Sequence, residues 1–382
     1  MPVNRRKFLA IVGGGTIVAA TGAGGFLATR TPTKALAPWR QVGNYDEPRR
    51  RALSYAILAP NPHNRQPWLV DLSQDGSIVL YVDTSRLLPH TDPFSRQITI
   101  GLGCFLELLR MAAAQNGYLA TIENFPQGFD KDQLDKRPIA EISFVKDPAV
   151  SKDLLFSQVL ARRSLKEPFD LDRNVPADVL KNLEGVVRDG VSIGTTNQPD
   201  KVQQLRQLTR DAMTKELETP RTYKESVDLF RIGKAEINAN PDGLSFGGPM
   251  FDTLAALGMF SREIALDRQS SGYKQGIAAV MANIDTAMGY VWLVTPTNTR
   301  IDQLNAGRDW LRVNLAATGI GIGLHPLSQA LQEYSEMQVE YNKVQALLAA
   351  QGKTVQMLGR LGYAGKVPPT PRWPLDAKIL KA

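Results

Sequence analysis

The chain has 382 residues, with 45 Lys and Arg against 38 Asp and Glu and a net charge of +7. The basic excess sits in the first 37 residues, which carry Arg5, Arg6, Lys7, Arg30 and Lys34 and no acid. Without them 40 basic and 38 acidic residues remain, so charge gives nucleic-acid binding no support. The one cysteine, Cys104, excludes an internal disulfide and lies in an apolar helical run, where it reads as a buried small side chain rather than a nucleophile.

Asn4-Arg5-Arg6-Lys7-Phe8-Leu9 is a twin-arginine pair followed by an apolar, glycine-rich run to about Ala28 and then Ala35-x-Ala37, a small-x-small cleavage pattern. Residues 1–37 therefore read as a twin-arginine export signal, and the expected location is the periplasm or cell envelope. Glycines at 13, 14, 15, 22, 24 and 25 make the run a poor membrane helix, each costing about 1 kcal/mol against Ala. An uncleaved anchor is the alternative. Substrates of this route fold before crossing, commonly because a cofactor is loaded in the cytoplasm.

Pro48 opens a helix over Arg49–Leu58 that must end at Pro60. The stretch Ala59-Pro60-Asn61-Pro62-His63-Asn64-Arg65-Gln66-Pro67-Trp68 holds three prolines in eight positions, which forbids regular structure and leaves a rigid loop rich in polar groups. Trp68–Leu72 and Ile78–Val82 flank an Asp75-Gly76 turn and read as a hairpin. Ser95–Asn116 reads as a long apolar helix stopped by Gly117, followed by strands at Tyr118–Glu123 and Ile139–Phe144.

A second unit opens near Ser151. Helices are expected over Leu154–Arg163, Pro176–Arg188, Pro199–Glu218, Thr222–Ala239, Ile301–Thr318 and Gln329–Ala350, and strands at Val191–Gly194, Gly289–Thr295, Gly323–Leu327 and Thr354–Tyr363. Asn240–Ser271 reads as an excursion from the core. The two long apolar helices share a spacing: Gly103, Ala112-Ala113 and Gly117 match Gly307, Ala316-Ala317 and Gly321 at identical offsets. Small residues so placed let two helices approach closely, as at a pseudo-symmetric axis. The expected organisation is α+β, with two pseudo-symmetric halves over 38–150 and 151–382.

Arg162, Ser164 and Lys166 alternate, so an extended segment places two cations and a hydroxyl on one side, a pattern suited to a phosphate. A solvated basic helix end would show the same residues. His63, His90 and His325 are too scattered for a metal motif; His63 falls in the loop, and the other two read as structural. Gly319-Ile320-Gly321-Ile322-Gly323 lies at a helix end, the wrong context for a dinucleotide loop, and no Gly-x-Ser-x-Gly elbow occurs.

Together the two clusters resemble the nitroreductase superfamily of FMN proteins. The family's Arg-x-Ser-x-Arg/Lys-x-x-Phe matches Arg162, Ser164, Lys166 and Phe169, and its Pro-Ser-x-x-Asn-x-Gln-Pro-Trp loop matches Pro60, Asn61, Asn64, Gln66, Pro67 and Trp68. The order of the motifs and the His63-Asn64 pair are similar to the Acg-type nitroreductase-like proteins of mycobacteria, in which one chain mimics the usual dimer and a lid covers one FMN. The resemblance spans roughly residues 46–375. It implies that Arg162 and Ser164 hold the ribityl phosphate, with Arg372 as second phosphate cation and Arg360 in reserve. It also implies that Lys166 reaches the N1/O2 edge and that the loop, through Pro60, Asn61, His63, Asn64 and Gln66, contacts the ring. Asn61 stands where the family has Ser, Pro62 removes a backbone N–H, and Trp373 stands where relatives often show Arg.

The implied function is an exported FMN-dependent oxidoreductase, passing hydride through N5 by a ping-pong mechanism between an unknown donor and a small-molecule acceptor. The alternative is a flavin-sequestering protein whose lid, placed at 240–271, blocks turnover.

Overall fold

The computed structural model describes residues 30–188 and 190–381; the twin-arginine motif and the apolar run behind it lie outside the described residues. A short helix α1 (Ala37–Gln41) leads into α2 (Pro48–Ala56), where the Glu47 carboxylate accepts from the free N–H groups of Arg49 and Arg50. Then follow β1 (Trp68–Asp71), β2 (Ser77–Val82), the long helix α3 (Arg96–Gln115), β3 (Tyr118–Asn124) and β4 (Ala140–Lys146). The strands form an antiparallel sheet in the order β1-β2-β4-β3, with Trp68 opposite Val82.

The second half repeats this plan. After α4 (Ala177–Glu184) and β5 (Ser192–Thr196), the chain makes a long insertion before returning. The insertion contains α5 (Pro199–Glu218), α6 (Pro220–Asp228), β6 (Phe230–Ile232), α7 (Gly233–Ala239), β7 (Leu244–Phe246), α8 (Pro249–Ala256), α9 (Arg262–Leu266) and α10 (Ser271–Asp285). The core then resumes with β8 (Gly289–Thr295), the long helix α11 (Arg300–Gly319), β9 (Gly323–Pro326), α12 (Gln338–Leu348) and β10 (Thr354–Gly362). Its sheet is antiparallel in the order β5-β8-β10-β9. Both halves thus run strand, strand, long helix, strand, strand, in the spatial order first, second, fourth, third.

The halves join at the two long helices. Gly103 and Gly307 face each other so closely that a Cβ on Gly103 would overlap the Leu304 carbonyl, and one on Gly307 would overlap the Ile100 carbonyl. That reciprocity is what a two-fold axis produces. Arg96 and Arg300 occupy equivalent first positions of the two helices, both buried, and each reaches across. Arg96 donates to the Leu331 and Gln356 carbonyls of the second half. Arg300 donates to the Asp130 and Phe94 carbonyls of the first. Helix α3 is long and apolar enough to cross a membrane by composition, yet 94% of its apolar window is buried in protein.

Three expected helices differ, each because another bond wins. Leu154–Arg163 is helical only as a 3-10 turn over Leu154–Gln158 and then extends, so that Leu165 N–H can donate to Leu324 O at 2.9 Å. Thr222–Ala239 is interrupted after Asp228, where β6 pairs in parallel with β7 and brings Phe230 and Phe246 to 4.5 Å, and turns helical again at Gly233 (φ +77°). In Gln329–Ala350 the helix waits until Gln338, because Arg96 occupies the Leu331 carbonyl that an earlier start would use.

Candidate active site

The proline-rich loop leaves the end of α2 and is tied down by its own side chains. The Asn61 amide donates to Ala59 O (3.1 Å) and accepts from Gln66 N–H (2.7 Å), closing the loop on itself. His63, Asn64 and Gln66 stand at φ +47°, +51° and +50°. Left-handed conformations cost a non-glycine residue free energy, and the surrounding bonds hold them there. The loop rests on α3 at Gly101, where a Cβ would come within 3.0 Å of Asn61 Cβ.

The carbonyls at the end of α2 lack helical donors, and two buried arginines supply them. Arg372 gives Nε–H to Ile57 O (2.9 Å), Nη2 to Leu58 O and Ala59 O (3.0 and 3.1 Å), and Nη1 to Asn64 Oδ1 and Pro371 O (2.7 and 3.0 Å). All five of its N–H groups are thereby used. Arg372 is a clamp between tail and loop, and in this arrangement it keeps no N–H for the phosphate the resemblance assigns to it. Arg162 meets the same carbonyl row but gives only one bond, Nη2 to Leu58 O at 3.0 Å. Among the described residues Arg162, Arg163 and Arg372 pair with no carboxylate. Burial lowers the Arg162 pKa to about 10; burial and the charges of Arg162 and Arg163 lower that of Arg372 to about 9.

Two loop amides also prove structural. Gln66 is fully buried, donating to Pro241 O and accepting from Trp373 N–H. The Asn64 amide accepts from Arg372 and donates to Pro371 O (3.1 Å). As the loop stands, the Gln66 amide is closed off from a ligand, whereas Pro60, Asn61, His63 and Asn64 keep partly exposed surface.

Lys166 lies in the extended piece beside β9. Arg360, buried in β10, grips the carbonyls on either side of it, Leu165 O at 3.3 Å and Glu167 O at 2.7 Å, and its guanidinium stacks 4.0 Å from the Phe169 ring centroid. Arg360 thus positions the segment that carries Lys166. Its Nε–H also donates to His325 Nδ1 at 2.8 Å. A guanidinium can only donate, so His325 Nδ1 carries the lone pair and its Nε2 carries the proton.

Burial, with the charges of Arg360 and Lys166, pushes the His325 imidazolium pKa well below 6.5. Burial, Lys166 and Arg65 push that of His63 to about 4. The Lys166 ammonium lies close enough to act on both rings, and desolvation lowers its own pKa. Lys166 is nonetheless open to water. Among the described residues the Lys166 ammonium and the Ser164 hydroxyl have no hydrogen-bond partner.

The insertion lands on this loop. Ser226 Oγ and His63 Nε2 share a hydrogen bond of 3.0 Å, Gly243 N–H donates to Asn64 O at 3.3 Å, and Asp242 meets Arg86 at 2.5 Å, Arg231 at 2.8 Å and Arg65 at 3.7 Å. Ser226, Asp242 and His325 were not readable as site residues in the sequence, and Arg360 was read only as a reserve phosphate cation. His325 and Arg360 meet only because β9 and β10 pair them directly. The surface hollows along Asp200–Gln207 and beneath Leu154 and Ile320 carry none of these groups.

No family model matches the chain. It is 28% identical over 342 residues to the protein named Uncharacterized protein Rv3127 of Mycobacterium tuberculosis, covering 86% of this chain and 92% of the relative. It is 27% identical over 336 residues to that organism's "Putative NAD(P)H nitroreductase acg", covering 85% and 93%. Among solved structures, the FMN-dependent nitroreductase NfnB of Mycobacterium smegmatis in complex with NADPH aligns with TM-score 0.37 and 15% identity, over 59% of this chain and 96% of that one. A "putative nitroreductase" from Anabaena variabilis aligns with TM-score 0.39 and 11% identity, over 76% of this chain and 69% of that one. Across most of its length the chain is similar to mycobacterial proteins, one of which carries the nitroreductase name.

Proposed function

We propose that the protein is an FMN-binding oxidoreductase of nitroreductase type, exported by the twin-arginine route. The observation that carries this reading is a surplus of positive charge beside the loop. Arg162, Arg163 and Lys166 have no carboxylate partner among the described residues, and Arg162 is 3% exposed. Uncompensated buried charge is costly, and an anionic ligand offsets that cost. Its mycobacterial relatives include one whose name is an NAD(P)H nitroreductase.

The residues fit the group in kind: cations for a phosphate, a hydroxyl at Ser164, and an ammonium where reduction would place negative charge. Arg162, whose remaining N–H groups are not taken by the protein, would hold the phosphate with Ser164. Lys166 would face the N1/O2 edge, fixed by Arg360, and the neutral His325 Nε2–H would add a donor without adding charge. FMN, when bound, supplies two-electron chemistry at N5, with donor and acceptor using one face in turn, as in a ping-pong scheme. His63, unprotonated down to about pH 4, stays neutral through the working range.

The insertion supports a second reading. Ser226, Pro241 and Gly243 bond directly to the loop, and a cover held this way suits a protein that sequesters flavin and turns over little. An absorbance spectrum of the purified chain tests both: protein that is colourless and takes up no added FMN, with an intact fold, refutes them. Anaerobic NADPH followed by a nitroaromatic separates them, since bleaching and recovery support the enzyme, and persistent yellow supports sequestration.

A further inference from the structure

The pattern Ala35-x-Ala37 reads as a cleavage site in the sequence, but the fold uses it. Ala35 is 2% exposed, its N–H donates to Asn238 Oδ1 at 3.0 Å, and its carbonyl accepts from Arg372 N–H at 2.9 Å. Ala37 begins α1, and two residues on, Trp39 is buried with its indole N–H on Thr370 O at 2.7 Å. Peptidases take substrate backbone that is exposed and free of hydrogen bonds. A chain that folds before it crosses the membrane presents this site already locked between the insertion and the C-terminal tail.

The chain upstream of the body emerges beside an unusual surface. Arg30, the first described residue, lies 3.7 Å from Asp252 of α8. No residue of α8 is buried, although it is mostly apolar. Phe251 and Phe260 turn inward onto Phe246, at 5.2 and 5.1 Å. Met250, Leu257 and Met259 stay outside, 46%, 67% and 58% exposed. The helix's single charge, Asp252, is occupied by Arg30 and by the backbone N–H of Lys234. Immediately before Arg30 the sequence from Phe8 to Thr29 contains no charged residue.

We propose that the folded protein keeps its N-terminal apolar segment and rests with the Met250–Met259 face of the insertion against a phospholipid bilayer. Three exposed apolar side chains bind a bilayer weakly by themselves. A tether ending at Arg30 raises their effective concentration at the lipid surface, so the weak patch becomes an orienting contact. The bilayer then holds the same insertion that bonds the loop at His63, Asn64 and Gln66.

The test uses the full chain, produced in cells with twin-arginine export and reconstituted into phosphatidylethanolamine–phosphatidylglycerol vesicles. An environment-sensitive dye is attached at Met259→Cys or, as control, at Val145→Cys, a 55% exposed position on β4 of the other half. The native Cys104 is buried, with its thiol raised to about 12, and does not compete for the label. The expected result is an intact mass that includes residues before Arg30, with blue-shifted emission quenched by brominated lipid at Met259→Cys and neither effect at Val145→Cys. A mature chain beginning at Pro38, or at any point that drops the upstream segment, overturns the proposal. So does equal behaviour of the two dyes. A Met259→Cys shift that is already complete without vesicles also overturns it, because the chain's own segment or a second copy then covers the face.

Discussion

Arg162 and Arg372 meet on the same carbonyl, Leu58 O, yet substitution should separate their roles. In Arg162→Ala, Leu58 O keeps its bond from Arg372 Nη2 at 3.0 Å, so no buried acceptor loses its last donor. The repulsion that helps lower the Arg372 pKa also falls. The cofactor-free protein should stay within about 1 kcal/mol of wild type, while the lost charge-assisted phosphate contact, about 1.5–3 kcal/mol, weakens FMN by roughly 10- to 150-fold. In Arg372→Ala, Leu58 O retains Arg162, Ala59 O retains Asn61, and Pro371 O retains Asn64, but Ile57 O and Asn64 Oδ1 are left without donors. At about 1–3 kcal/mol each, that costs roughly 2–6 kcal/mol before counting the emptied volume. Urea unfolding of the apoproteins and flavin fluorescence titrations measure both quantities. Equal destabilisation by the two substitutions, or unchanged FMN affinity in Arg162→Ala, refutes the division of labour.

Gly103→Ala and Gly307→Ala should each destabilise by more than about 3 kcal/mol, because both new methyls meet backbone that rotamer changes cannot move, and the double variant should cost less than the sum, since one separation of the helices relieves both; additivity in urea melts counts against the crossing. Burial raises the Glu216 carboxyl to about 7, above its unfolded 4.5, so the folded state holds the proton more tightly and stability falls as pH rises from 4.5 to 7, then levels off. Glu216→Gln should flatten that decline and gain about 1–3 kcal/mol at pH 8; an unchanged pH–stability curve would contradict it. Lys166→Gln should leave the fold intact and make the bound flavin harder to reduce by about 30–60 mV, the equivalent of a 1.5–3 kcal/mol charge-assisted contact, read by dye-linked potentiometry. Only one loop lies beneath the insertion, so flavin content should reach one per chain; two per chain would require a second site on the other half.

Much of the framework was legible because it is written locally. The Asp75-Gly76 turn, the proline at 48 and the uninterrupted apolar runs gave both long helices and most strands to within two residues of where they lie. Even the crossing was readable, since glycine at 103 and 307 has no other local reason in the middle of apolar helices. The site was half legible. Residue type marked the loop and the Arg162–Lys166 segment, but not which polar groups remain open. Asn64, Gln66 and Arg372 have the chemistry of ligand contacts, yet Arg372 donates to Asn64, and Gln66 is taken by Pro241 O and the Trp373 N–H. That depends on a tail some three hundred residues away, where nothing in the local pattern points back. His325 carries no local signal either, because its meaning comes from the strand partner that fixes its tautomer.

The asymmetry of the two halves decides what the symmetric framework can do. In the first half β1 and β2 are joined by a tight turn, whereas in the second the equivalent strands, β5 and β8, are joined by the long insertion of α5 to α10. An axis through Gly103 and Gly307 relates the two halves, but among the described residues only one of them carries a long insertion. It lands on the first half's loop, where Asp242 draws in Arg65 and Arg86 from that half and Arg231 from its own. Each of those three arginines has a carboxylate partner there, while Arg162 and Lys166 have none among the described residues. Carboxylates have therefore been placed beside the loop's arginines and kept away from Arg162 and Lys166. A binding site for an anion needs that distribution, because neutralising the inner cations as well would remove the reason for a ligand to enter.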